Sequence, residues 1–158
     1  NHANPDVQSG GKYSDGLYVI CKWVEKDALI YNEWEVAVYD NLPVYKAAYD
    51  LLRSVYEKTG KIPRDVKYTL VEVLKKDLTE IMVMIYRANA TTGKLPYIER
   101  ARDLVVGVKV RLRLLQDMRH ISVKQYAAFA QQVELLSKQL SAWHDYARRQ
   151  DEKSQEKI

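Results

Sequence analysis

The sequence predicts an all-α protein, an antiparallel up-down-up-down four-helix bundle. Three observations carry that expectation. From residue 41 onward, apolar residues return at steps of three and four in four successive segments. The segments are separated by turn or cap residues, at Thr59-Gly60, Thr91-Thr92-Gly93 and His120-Ile121. These breaks are only a few residues long, which makes sequential helices antiparallel neighbours. With 158 residues the chain is long enough for one domain with a real core.

The expected division is an N-terminal extension over residues 1–40, a bundle over 41–150 and a charged tail over 151–158 that frays. The chain begins with Asn rather than Met, which reads as a processed, trimmed or fused product. Turn formers crowd the first sixteen residues, at Asn4-Pro5, Ser9-Gly10-Gly11 and Ser14-Asp15-Gly16. That stretch is expected to be disordered or loosely held. LYVICKWV at 17–24 reads as a short strand, and 28–39 as a helix with Ile30, Trp34 and Val38 on one face.

The first bundle helix has Asn41 as its cap and Pro43 in its first turn, then Val44, Ala48, Leu51, Leu52 and Val55. Ile62-Pro63 begins the connection. Asp65 is expected to cap the second helix, whose stripe is Leu70, Leu74, Leu78, Ile81 and Ile85, ending near Asn89. Its run IMVMIY is apolar all round, so cover on more than one side is expected. Pro96 opens the third helix. Ser122-x-x-Gln125 is a capping box for the fourth. That helix carries Tyr126, Ala130, Val133, Leu136 or Ser137, Leu140, Trp143 and Ala147.

The third helix is the most informative. Ile98, Ala101, Val105, Val108, Leu112 and Leu115 make one core stripe. Val106, Val110 and Leu114 make a second, on the far side. One small bundle needs only the first, so the second is expected at an interface with another copy of the chain. Arg102, Lys109 and Arg113 line one flank; Arg100 and Arg111 lie towards the other.

Charge is uneven along the chain. Residues 1–39 hold three Lys and six acids, whereas 40–158 hold 22 Lys or Arg and 15 acids. A basic bundle suits a polyanion such as nucleic acid. The expected phosphate contacts are Arg102, Lys109, Arg111 and Arg113, with Lys75, Lys76 and Arg119 as second choices. Tyr45, Tyr49 and Tyr56 read as core packing with a hydroxyl near the surface, and Trp143 as core packing, rather than as base contacts.

Catalytic chemistry finds no support. The three histidines are His2, His120 and His144, and no Glu-x-x-His pair occurs, so no metal site is expected. His144 reads as a boundary residue, and Cys21 as a small buried hydrophobe. Phosphate-cradling glycine motifs are missing. Glu72 and Glu80 face differently on one helix. The expectation is a non-enzyme without cofactor. A lone cysteine, no apolar run of membrane length and no signal peptide point to the cytoplasm.

The ordered series NLPVYKAAYDLL (41–52), IPRDVKYTL (62–70), IYRAN (85–89), RLRLLQDMRHISVKQY (111–126) and QLSAWHDYARR (139–149) resembles the accessory variability determinant (Avd) family of diversity-generating retroelements. It covers some two thirds of the chain. Many relatives carry two glycines before the tryptophan, where Ser141-Ala142 stand here, which bears on close helix packing. The resemblance implies a bacterial or phage-encoded four-helix protomer in a homopentameric, barrel-like ring with a basic surface. It also implies binding to the retroelement reverse transcriptase and its template RNA, with DNA as a further ligand, during mutagenic cDNA synthesis. Four-helix proteins encoded within ribosomal RNA intervening sequences share much of the pattern. They supply the alternative, a structural or protein-interaction module.

Overall fold

The computed structural model describes residues 42–158 of the chain, and these form four helices with no strand among them. The expectations for residues 1–41, including the strand, the 28–39 helix and Cys21, lie outside the described residues. Helix α1 is Pro43–Lys58. Helix α2 has three contiguous parts: Arg64–Val66, the π-helical turn Lys67–Val71, and Glu72–Asn89. Helix α3 is Leu95–Asp117 and helix α4 is Val123–Glu156. α1 packs against α2 and α4, and α3 packs against the same two.

The core stripes of α1 and α3 follow the sequence pattern. Val44, Ala48, Leu51 and Val55 are buried, with Leu52 partly so. All six residues of the first α3 stripe are buried, joined by Leu104. At the start of α1 the cap position falls on Leu42, with Pro43 opening the helix. Thr59 ends it, its hydroxyl donating to the Val55 carbonyl at 2.5 Å.

Two details of α2 differ from expectation. The amide of Lys67 donates to the Pro63 carbonyl, so the helix begins directly after Pro63. Asp65 therefore lies inside the first turn and does not cap; its charge complements the helix dipole instead. The second difference is the register. Val66 and Val71 are buried, whereas Leu70 is only partly so. A π-turn closes over five residues and inserts one extra into the helix. Residues 66 and 71 thereby share the core face, and Leu74, Leu78, Ile81 and Ile85 continue it. The IMVMIY run is covered on one side only. Ile81 and Ile85 are buried, Met82 and Met84 half-buried, and Val83 exposed.

The α2–α3 turn is held by Lys94. Its ammonium donates to the carbonyls of Ala88 at 2.7 Å and Thr91 at 2.5 Å, close to the C-terminus of α2. The residue is 4% exposed, and burial pushes its pKa down to about 8. Its own carbonyl accepts from Tyr97 and Ile98, starting α3.

α3 ends in a Schellman arrangement. The amide of His120 donates to the Leu115 carbonyl, and that of Arg119 to Gln116. Arg119 occupies the left-handed position usually given to glycine, at φ 62°. The expected capping box then starts α4: Gln125 donates its amide to the Ser122 hydroxyl at 3.0 Å, and its side chain accepts from the Ser122 amide at 2.9 Å.

α4 buries Phe129, Val133, Leu136, Leu140, Trp143, Tyr146 and Ala147. Phe129 and Tyr146 are additions to the expected stripe, while Tyr126 and Ala130 are half-buried. The charged tail is not a frayed end beyond Arg149, because α4 continues to Glu156. Arg148 pairs with Glu152, and the Ser154 hydroxyl donates to the Gln150 carbonyl, so the last turns carry their own i, i+4 contacts.

Candidate nucleic-acid interface

The second stripe of α3 is on the surface. Val106, Val110 and Leu114 are 60%, 61% and 41% exposed. Met118 continues the row one turn further and is exposed as well. Three turns of apolar side chain thus face outward from the middle of a helix whose opposite side is core.

The basic residues around this stripe differ in their freedom. Arg102 and Lys109 line a groove of about 340 Å³ between α3 and α4, together with Val106, Ser137 and Ser141. Among the described residues neither has a hydrogen bond or ion pair. Two acids share the groove, Glu99 and Asp103. Glu99 already meets His144 Nε2 at 3.2 Å, which gives that boundary histidine its place between α3 and α4. Two unpaired cations stand two helical turns apart, beside two hydroxyls. Such a set can neutralise and hydrogen-bond backbone phosphates.

The other expected contacts are otherwise engaged or elsewhere. Arg111 Nη1 donates to Asp77 Oδ2 on α2 at 2.6 Å. It is a strut between helices rather than a free cation. Arg113 is exposed but chelates Asp117 within its own helix at 3.0 and 3.2 Å. That pairing, with a smaller contribution from the Tyr126 hydroxyl, raises its pKa. Arg119 is exposed in the α3–α4 turn. Arg100, on the same flank as Arg111, pairs with Glu80.

Lys75 and Lys76 belong to a different surface. They line a groove of about 670 Å³ along α1 and α2, with Tyr56, Thr79, Val83, Met84 and Arg87. Here the reading of the tyrosines changes. Trp143 is fully buried and Tyr45 packs on the core, but Tyr49 and Tyr56 are exposed. Arg87 was not among the expected contacts. The signal for it was present, since 76, 80, 83 and 87 recur at helical spacing along one flank of α2.

Among the described residues, no group of three His, Cys, Asp or Glu could hold a metal ion. No helix among them is long and apolar enough to cross a membrane. No family model matches the chain, and no curated protein matches it.

Proposed function

We propose that this chain is a non-catalytic accessory subunit that binds nucleic acid through the α3–α4 groove. The observation that carries the reading is that Arg102 and Lys109 are exposed in one groove and unpaired there, so both charges remain open to phosphate. Phosphate neutralisation with counterion release supplies the affinity, with little sequence readout. The resemblance to the Avd family supports reading the polyanion as template RNA, held together with a retroelement reverse transcriptase in the bacterial cytoplasm, by a bacterial or phage-encoded protein.

The protomer is read as an antiparallel up-down-up-down bundle. Cross-helix pairs support this, because their numbers run in opposite directions. Arg100 meets Glu80 and Arg111 meets Asp77 on α3 and α2. Ser54 meets Gln132, while Lys58 lies over Phe129, on α1 and α4. The exposed Val106, Val110 and Leu114 are read as the contact between copies, in a ring that the family resemblance makes a pentamer.

The test is charge reversal of Arg102 and Lys109 together, read by RNA affinity across a salt series. The expected result is weaker binding and a log–log salt slope reduced by about one unit per lost contact. Arg113→Glu, at a residue already paired within its helix, has the smaller effect. Unchanged affinity in the double variant defeats this assignment. A second reading, an intervening-sequence protein acting only as an interaction module, draws on the same exposed α3 stripe. It expects assembly without RNA binding.

A further inference from the structure

We propose that the α1–α2 groove is a stacking site for an unpaired nucleobase, so that the protein engages single-stranded nucleic acid by its bases as well as its phosphates. This rests on the nucleic-acid reading above but concerns a separate surface. Its centre is Tyr56. Tyr56 is 58% exposed, and the Lys75 ammonium sits 4.1 Å from its ring centroid. The Lys75 side chain is only 11% exposed, so the cation lies on the protein side of the ring. With more than half of Tyr56 exposed, the ring surface away from Lys75 is the part left to solvent. The ring is thus held from below by a largely covered cation, while most of the residue is exposed.

The charges around it select the occupant. Both acids of the groove are matched, Glu72 by Lys75 at 3.3 Å and Glu80 by Arg100 at 3.1 Å. Lys76 and Arg87 line the same groove and have no partner among the described residues. An open aromatic face flanked by two free cations is complementary to a base attached to phosphates. Val83 and Met84 add apolar surface for the sugar and base edge. A base inside a duplex has both faces covered by its neighbours, so only an unpaired base can use the Tyr56 face.

The test uses the full chain and three ligands: a short single-stranded RNA, the corresponding duplex, and linear polyphosphate, which has charge without bases. Tyr56→Ala should weaken the single strand about tenfold and leave the duplex and polyphosphate unchanged. Tyr56→Phe, which keeps the ring, should bind the single strand like the parent. Equal weakening for all three ligands would mean that the ring only positions Lys75, and overturns the proposal. So does an unchanged single-strand affinity in Tyr56→Ala. A fall in particle mass in that variant would make this face a contact between copies, with the same consequence. If the parent protein binds the single strand but Tyr56 is immaterial, only this inference fails. If the parent binds neither RNA, the nucleic-acid reading fails with it.

Discussion

Gly107→Ala sets two effects of similar size against each other, and the structure decides between them. Gly107 lies in the interior of α3, where alanine is the better helix former by about 1 kcal/mol. A Cβ at that position falls 2.8 Å from Arg111 Nη1. The guanidinium must withdraw, although it is anchored to Asp77 Oδ2 at 2.6 Å. Asp77 is only 16% exposed at its side chain, so it is left half-buried without its cation. A hydrogen bond to a charged group is worth roughly 1.5–3 kcal/mol, and the partial exposure of Arg111 places this one near the lower end. The expected net effect is a loss of about 0.5 kcal/mol, opposite in sign to propensity. In an Arg111→Ala background the new Cβ meets Asp77 at 3.6 Å, an ordinary contact. There Gly107→Ala should stabilise by about 1 kcal/mol. The coupling in the double-mutant cycle is then about 1.5 kcal/mol. Urea denaturation at one fixed protein concentration measures all four proteins. Equal stabilisation by Gly107→Ala in both backgrounds would refute the strut assigned to Arg111.

Three further perturbations follow from the same structure. The depressed pKa of Lys94 makes stability depend on pH. The folded state releases this proton above about 8 and the unfolded state near 10.5, so stability rises through that window by up to about 1.4 kcal/mol per unit. The stability difference between the parent and Lys94→Met should therefore grow in the parent's favour from pH 7.5 to 9.5. A flat difference contradicts the burial argument. Arg119→Gly should raise stability by about 0.5–1 kcal/mol by relieving the left-handed backbone, measured by the denaturation midpoint. No gain, or a loss, speaks against that strain. Val110→Glu, at an exposed site, should leave helicity and the thermal transition of the protomer intact while lowering the particle mass. An unmodified protein that is already a monomer at micromolar concentration contradicts the interface reading.

The parts of the fold legible in the sequence are those governed by local physics. Pro43 at the start of α1, Thr59 at its end and the Ser122–Gln125 box are short-range backbone devices, and each is found where it reads. The α3 stripe is legible because polar residues separate its members at helical spacing. The α2 register is not. Leu70 and Val71 are adjacent and both apolar, and nothing local says that a π-turn brings the second inward. The end of α4 misled for a related reason, since a charged run looks like a solvated tail until its i, i+4 partners are seen to continue the helix.

For the site, the sequence by itself determined which residues carry charge and which face of α3 has an apolar stripe to spare. Periodicity is enough for that, because a helix maps sequence spacing onto direction. Only the tertiary structure decided which cations are free. Arg111 and Asp77 are far apart in sequence and meet because α2 and α3 pack together. Arg102 and Lys109 face α4 across a groove that offers them no carboxylate of its own helix or the next at bonding distance. Tyr56 meets Lys75 only because α1 lies against α2. Whether a charge is spent inside the fold or remains for a partner depends on distances between helices, and a single chain's pattern holds no record of those.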